Sequence, residues 1–220
     1  MIDGVAQIGH QLHLGERSGL FTNQETAGTF PKLAHVQSRA WHDGDTANLC
    51  IGQGKIDVTP IQIAVAYSAI ANGGKVFWPR VVSRIESQEN VGLVVTNFPA
   101  AQVRDRLTVK PTSLKILHDA MFADVQSNEG TGRKAAVTGF NICAKTGTAQ
   151  VQDSANRLTG HNYWFASFAP YESPRYAVVV LVQSATESGS GGETCAPIAH
   201  DVYEAIVKKE NAPKSLALAK

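Results

Sequence analysis

Four consecutive residues in the second half of the chain are of types that could bind a ligand or take part in catalysis. Lys145, Thr146, Gly147 and Thr148 interrupt an otherwise strand-like run, "NICAKTGTAQV" at 141–151. Lysine supplies a positive charge, threonine hydroxyls donate and accept hydrogen bonds, and glycine leaves room for another backbone. Two kinds of site use such a set. One is a cradle for a phosphate, and the other is a cleft that binds a carboxylate and handles protons beside a nucleophile.

The phosphate interpretation depends on the residues that flank the lysine. The run "GFNICAKT" at 139–146 fits the P-loop pattern GxxxxGK[ST], except that Ala144 replaces the second glycine. A P-loop also needs a helix that begins near the lysine, so that its amide groups meet the phosphates. The residues after Lys145 have low helix propensity and include Gly147. A degenerate P-loop-like nucleotide binder is therefore disfavoured but stays an alternative.

A strand at a sheet edge offers two further interpretations. Lysine at an edge discourages aggregation, so the stretch is also compatible with a purely structural strand. In the other interpretation the strand lines an acyl-transfer site, and Gly147 lets a peptide pair with its edge by β-augmentation. Thr146 and Thr148 would hold a terminal carboxylate, while Lys145 would supply positive charge and assist proton transfer. Cys143 alternates with Lys145, but its apolar neighbours favour core or cleft wall over a nucleophile.

The sequence predicts a sheet and several helices that would position these residues. Three strands, 141–151, 162–169 and 175–183, follow one another with short connections and should pair as antiparallel neighbours. The clearest helix is 59–74, where Thr59 is a good N-cap followed by Pro60 and a Gln at the third position. Other helices are expected at 2–14, 112–126 and 196–209, and residues 75–87 are expected to be extended, with an interruption at Pro79. Residues 16–50, rich in Gly, Thr, Asn and Asp, are predicted to form loop with little regular structure.

The buried face of the helix at 112–126 is also predictable from spacing. Its apolar stripe is expected to consist of Leu114, Leu117, Met121 and Val125.

Composition excludes several classes of protein. The formal net charge of +1 and the scattered basic residues give no sign of nucleic-acid binding. Three cysteines, an odd number without a CxxC pair, predict neither a disulfide framework nor a zinc ribbon. No apolar run approaches the ~20 residues that span a bilayer, and the first residues do not form a secretory signal. His10 and His13 have metal-ligand spacing but no third ligand nearby, so surface histidines are the favoured interpretation.

Several stretches, in order along the chain, resemble one family. Residues 144–150, "AKTGTAQ", resemble the signature of penicillin-binding D,D-transpeptidases, particularly the class B enzymes of peptidoglycan synthesis. Residues 51–82 are very similar to the family's G-Q-G…T-P-x-Q-x-A…A-N-G-G stretch, and "NYWFASFAP" at 162–170 is similar to its W-F-x-G/S-F-A-P strand. Residues 14–31 and 188–206 resemble a loop and the Gly-rich turn with its closing helix. The resemblance runs from about residue 5 to 207.

The resemblance implies an α+β fold of the penicillin-binding and serine β-lactamase type. Residues 1–210 would form a partial transpeptidase domain with about three of the family's five antiparallel strands, flanked by helices, and 211–220 would be a flexible tail. The implied reaction is acyl transfer from D-Ala-D-Ala stem peptides through a serine ester, on the extracytoplasmic face of the bacterial membrane, with no cofactor or metal.

The resemblance also assigns roles to single residues. Lys145 would be the catalytic cation, Thr146 and Thr148 would bind the carboxylate of a stem peptide or β-lactam, and Gly147 would permit close approach. Independently of the resemblance, Trp164 is expected to border the substrate groove, because it follows the lysine strand across a turn.

The family's nucleophilic motif does not occur in these 220 residues. No serine has a lysine three positions later, and the only S-x-N, Ser154-Ala155-Asn156, follows the lysine strand and is interpreted as a turn coincidence. We therefore expect the C-terminal portion of a transpeptidase domain that is inactive alone. The strand at 175–183 would expose an apolar edge, open to an N-terminal half or to self-association. A noncatalytic binding or structural module that keeps the cleft is the alternative.

Overall fold

The computed structural model of the chain describes residues 2–20, 24–89, 92–155, 157–185 and 189–212. The chain divides into two compact units, residues 1–116 and residues 117–220. The prediction of one partial domain over 1–210 stays a prediction. The predicted flexible tail lies outside the described residues except for its first two positions. None of the helices within the described ranges is long and apolar enough to cross a membrane.

The first unit contains four helices in its described part. They are α1 (Ile2–Gln11), α2 (Leu33–Val36), α3 (Asp43–Cys50) and α4 (Pro60–Ala71). The capping box predicted for α4 is present, because Thr59 N donates to Gln62 Oε1 over 2.8 Å and Gln62 N donates to Thr59 Oγ1 over 3.3 Å. The helix stops where Gly73 and Gly74 adopt φ of 83° and 97°, which favours glycine.

Gln62 also fixes the loop that precedes α4. Its side chain is 3% exposed, and its Nε2 donates to Glu16 O over 2.6 Å and to Ala27 O over 2.8 Å. The Gln62 side chain therefore hydrogen-bonds the backbone at the start of α4 and two carbonyls of a loop that is distant in sequence.

The prediction of unstructured loop over 16–50 is wrong for two segments, α2 and α3. Helix α3 begins after His42, whose backbone N–H donates to Asp45 Oδ2 over 3.0 Å. Trp41 Nε1 donates to Thr46 Oγ1 over 2.8 Å and holds the chain against the first turn. These side-chain contacts stabilise a helix that composition alone did not predict.

Two small antiparallel pairs complete the first unit. Strand β1 (Lys75–Phe77) pairs with β4 (Val103–Arg106), and β2 (Arg84–Glu86) pairs with β3 (Val94–Asn97). The sequence predicted an extended segment from residue 75 but not the two return strands.

The second unit is built on a three-stranded antiparallel sheet of order β5-β6-β7. The strands are β5 (Cys143–Gln152), β6 (Leu158–Ala169) and β7 (Tyr176–Ser184), which confirms the predicted strands and their antiparallel pairing. A π-helical turn, Gly191–Cys195, leads into α6 (Ala196–Asn211), in agreement with the predicted Gly-rich turn and closing helix.

One face of this sheet carries the core of the second unit. Buried apolar residues of β5 and β6 meet α6 there, including Ala144, Phe165 and Tyr203. Ser167 Oγ donates to Val178 O over 2.9 Å and accepts from Tyr203 Oη over 2.9 Å, so both buried hydroxyls are hydrogen-bonded.

Helix α5 (Pro111–Gln126) forms where predicted, but the face that it buries differs from the predicted apolar stripe. Met121 and Val125 are buried as expected, whereas Leu117 is 40% exposed, so its predicted burial is wrong. The neighbouring His118 takes the inner position, with its ring centroid 4.8 Å from that of Phe168. An aromatic contact with β6 thus determines which side of the helix faces inward.

Candidate ligand-binding site on strand β5

The residues predicted to do chemistry lie together on an edge strand. Lys145, Thr146, Gly147 and Thr148 are consecutive in β5. Among the described residues β5 pairs with β6 alone, so the opposite edge of β5 carries no strand. Thr148 and Lys145 are exposed, and Thr146 and Gly147 are partly exposed. The structure therefore presents all four residues at a sheet edge that no strand in the described part of the chain occupies, the arrangement that β-augmentation requires.

Lys145 lies within a strand, and no helix begins at it. Its Nζ donates to the backbone carbonyl of Thr146 over 2.8 Å, which leaves further ammonium protons for a ligand. A phosphate loop needs a helix N-terminus at this point, and β5 does not supply one. A carboxylate or a strand-like peptide fits the geometry better.

The two faces of β5 have different surroundings. Thr146 and Thr148 alternate onto the side of Ala144, which packs toward α6, whereas Lys145 shares its side with Cys143. Cys143 is buried, and its Sγ donates weakly to His118 O over 3.7 Å.

The Cys143 thiol is held in its neutral form. Burial raises the pKa of Cys143 to about 12, and the carboxylates of Glu172 and Asp119 add to this rise. A thiol with such a pKa is a poor nucleophile at neutral pH, which favours its predicted place in the core or cleft wall.

Two glycines bring backbone against backbone near the site. Gly147 opposes Trp164 in the register of the sheet. A β-carbon at Gly191 would lie 2.2 Å from Trp164 O and 2.7 Å from Gly147 O, so only glycine fits at Gly191. The π-helical turn therefore rests directly on the β5–β6 backbone at Gly147. In contrast, a β-carbon at Gly147 would meet only the Trp164 side chain, at 3.4 Å from Cβ and 4.0 Å from Cγ, which are ordinary contacts.

Sequence reasoning missed Thr131, which the fold brings to the site. Thr131 Oγ1 lies 2.7 Å from Thr146 Oγ1 and donates to Asp124 Oδ1 over 2.8 Å. Its loop lies against the end of α5 because Gly130 and Gly132 carry no β-carbon. One at Gly130 would lie 2.0 Å from Asp124 O. The run Gly-Thr-Gly was the available signal.

The remaining candidates are placed outside this site. Ser154 lies in the turn before β6, where Ala155 N donates to Asp153 Oδ1. Asn156 lies outside the described residues. The proposed role of Trp164 as a border of the groove stays a prediction, although its partial exposure is compatible with it.

The histidine pair near the N-terminus is engaged with carboxylates. His13 Nδ1 lies 2.8 Å from Glu16 Oε2, and His13 Nε2 lies 3.3 Å from Asp105 Oδ2. Burial alone would raise the pKa of Glu16, but the hydrogen bond and charge of His13, with Arg104 and His10, lower it. Within the described ranges no three His, Cys, Asp or Glu side chains are grouped to hold a metal ion.

A family model matches nearly the whole chain. It is described as the penicillin-binding protein transpeptidase domain and covers residues 3–204. The chain therefore belongs to the penicillin-binding transpeptidase family, as the resemblance in its motifs indicated.

Curated relatives support the same assignment. The peptidoglycan D,D-transpeptidase MrdA of Salmonella typhimurium is 32% identical over 220 residues, covering 92% of this chain and 34% of that protein. The penicillin-binding protein PbpB of Mycobacterium tuberculosis is 28% identical, covering 92% of this chain and 30% of that protein. The chain thus spans about a third of the length of these relatives.

Solved structures of such proteins share the fold. Penicillin-binding protein 3 of Mycobacterium tuberculosis, in complex with ampicillin, aligns with a TM-score of 0.79 at 28% identity, covering 94% of this chain and 46% of that one. Penicillin-binding protein A of M. tuberculosis, as a ceftriaxone acyl-enzyme, aligns with a TM-score of 0.73 at 26% identity, covering 91% of this chain and 42% of that one. The α+β fold with a partial antiparallel sheet is that of the family.

Proposed function

We propose that the β5 edge binds the acyl donor of a peptidoglycan D,D-transpeptidase. That donor would be a stem peptide ending in D-Ala-D-Ala, or a β-lactam in its place. The observation that carries the proposal is the presence of a lysine, two hydroxyls and a glycine on an unpaired strand edge. An extended ligand would pair with the open backbone groups of β5, and the charged and hydroxyl side chains would receive its carboxylate.

Each site residue has a role that follows from its placement. The Lys145 ammonium would be the catalytic cation, attracting the carboxylate and assisting proton transfer near the reacting carbonyl. Thr146 and Thr148 would contact the carboxylate, and the backbone near Thr148 would donate to the oxyanion. Gly147 would let the ligand lie close to the strand. No step in this scheme uses a metal or cofactor.

We propose that other polypeptide supplies the nucleophile. Acyl transfer through a serine ester needs a serine hydroxyl activated by a neighbouring base, and these 220 residues contain no Ser-x-x-Lys. We propose that the 220-residue chain alone binds the donor reversibly and forms no acyl-enzyme. By its family, the reaction would take place at the extracytoplasmic face of the membrane.

The opposite edge of the sheet suits a further strand of the same domain. β7 is unpaired on its outer side among the described residues, and Tyr176 is followed by six apolar residues ending at Val182. An exposed apolar strand edge pairs readily with another chain. We expect the isolated chain to self-associate as its concentration rises, measured by light scattering. A stable monomer at high concentration would contradict this expectation.

Binding of a fluorescent penicillin tests the proposed site. We expect saturable, reversible binding to the 220-residue chain by anisotropy, and no mass increase in the intact protein. Lys145→Ala should weaken binding about tenfold or more, since a hydrogen bond to a charged group contributes ~1.5–3 kcal/mol.

The control is Lys208→Ala, which removes an exposed lysine that pairs with Glu204 on α6 and should leave affinity unchanged. A stoichiometric covalent adduct would refute the claim that the chain is inactive alone. Absence of any binding, or equal loss in both variants, would refute the proposed site.

A further inference from the structure

The hydroxyl of Thr146 belongs to a chain of hydrogen bonds that begins at Asp124. Thr131 Oγ1 lies 2.8 Å from Asp124 Oδ1 and 2.7 Å from Thr146 Oγ1. Thr131 N donates to the same carboxylate oxygen over 3.0 Å. The end of α5, the following loop and β5 are thereby joined through three side chains. The last of these side chains is one that the proposed function places at the ligand.

The number of protons fixes the direction of this chain. A threonine hydroxyl carries one proton, whereas an ionised carboxylate only accepts hydrogen bonds. The proton of Thr131 therefore points to Asp124, and the lone pairs of Thr131 Oγ1 remain for Thr146. Since Thr131 has no second proton, the proton between the two threonines is that of Thr146.

The Thr131 hydroxyl keeps pointing to Asp124 because Thr131 provides both hydrogen bonds that the Asp124 carboxylate accepts from the described residues. Within the part of the chain that the structure describes, the hydrogen bonds to the Asp124 carboxylate come only from the N–H and O–H of Thr131. The other carboxylate oxygen, Oδ2, is buried without a partner among those residues. If the Thr131 hydroxyl turned away, a partly buried charge would lose one of two donors, which is unfavourable.

We infer that Asp124 and Thr131 are positioning residues that make Thr146 an acceptor toward the cleft and leave Thr148 as the hydroxyl that donates to the ligand carboxylate. This inference rests on the proposed function and restricts it, because of the two threonines only Thr148 would then donate a hydrogen bond to the carboxylate. Thr148 is exposed, and its hydroxyl has no hydrogen-bond partner among the described residues. Thr146 presents lone pairs alone, which suit an N–H group or a water.

The test compares a penicillin with its methyl ester, which lacks the negative charge. The acid preference is the Kd of the ester divided by the Kd of the acid, both measured on the 220-residue chain. Thr148→Val should lower it about tenfold, as expected for a lost hydrogen bond to a charge. Thr146→Val should change it less than about twofold, because that hydroxyl donates to Thr131 and not to the ligand.

Substitution of Thr131 distinguishes this arrangement from simple support. Thr131→Ala releases the Thr146 proton, so the acid preference should rise, and Thr131→Ser should restore the original value. Thr138→Ala, in an exposed turn, is the matched control and should change nothing. A fall of the acid preference in Thr131→Ala would overturn the inference while leaving the proposed site intact.

A second measurement does not depend on any ligand. Asp124→Ala and Thr131→Val should be non-additive in their effect on the urea midpoint, because each removes the hydrogen bond between Thr131 Oγ1 and Asp124 Oδ1. Additive effects would overturn the inference even if penicillin binds as proposed. Equal affinity of the unaltered chain for acid and ester would instead refute the proposed carboxylate site, and the inference with it.

Discussion

Gly147 offers the sharpest test of whether β5 receives a ligand, because the fold itself does not require glycine there. A β-carbon at this position would lie 3.4 Å from Trp164 Cβ, and Gly147 is not among the glycines with positive φ. Alanine therefore fits the backbone and the space. Since glycine in a strand is less stable than alanine by ~0.5–1 kcal/mol, Gly147→Ala should leave the free energy of unfolding unchanged or raise it by up to about 1 kcal/mol.

The effect on ligand binding should be the opposite. A ligand backbone that lies close to β5 at this residue would meet the added methyl group, and such overpacking costs about 1–3 kcal/mol. This corresponds to roughly a 5- to 150-fold rise in the Kd of a fluorescent penicillin. Urea unfolding followed by circular dichroism measures the first quantity, and fluorescence anisotropy measures the second.

Gly191→Ala is the matched comparison, because its methyl group would be 2.2 Å from Trp164 O and would force the backbone to move. It should lower the free energy of unfolding by about 2 kcal/mol or more. Our reasoning would be refuted if Gly147→Ala destabilised the chain as much as Gly191→Ala. It would also be refuted if Gly147→Ala folded normally and kept full affinity.

Two further outcomes follow from groups outside the site. At pH 8 one thiol per native chain should react rapidly with a chromogenic disulfide and all three after unfolding. Cys50 is exposed, whereas Cys143 and Cys195 are buried, and burial raises the pKa of both thiols, that of Cys143 to about 12. Two rapidly reacting thiols in the native chain would contradict the burial of Cys143 or of Cys195. Gln62→Ala should lower the free energy of unfolding by about 2–3 kcal/mol, since it leaves the partly buried carbonyls of Glu16 and Ala27 unpaired and removes a capping contact of α4. Gln37→Ala, on the surface, should have no effect, and equal stability of the two variants would contradict the anchoring role.

The parts of the fold that were predicted are those with strong local signals. Helix α4 carries its own capping residues, and the three strands of the second unit are short apolar runs separated by turn residues. Helix α3 was missed because its N-cap is His42, a residue with little preference for that position. The inner face of α5 was misjudged between Leu117 and His118, because a contact with Phe168 decides it.

In the candidate site, too, the residues with a local sequence signal were predicted and the one placed by a tertiary contact was not. Residues 145–148 were predicted as site residues because they are consecutive and their side-chain types alone indicate a binding site. Thr131 was not found, because it meets Thr146 only after the loop folds back against α5. Contacts between residues that are distant in sequence depend on tertiary packing, which local patterns do not encode.

The two outer strands of the β5-β6-β7 sheet differ in composition. We expect this difference to set how long a ligand or strand would stay bound at each edge. β5 offers hydroxyl, amide and ammonium groups along most of its length, so water competes well for its edge and an occupant leaves easily. β7 offers valine, leucine and alanine, from which water is readily displaced and to which it returns at a cost. We therefore expect a ligand at the β5 edge to exchange rapidly and a strand at the β7 edge to stay bound.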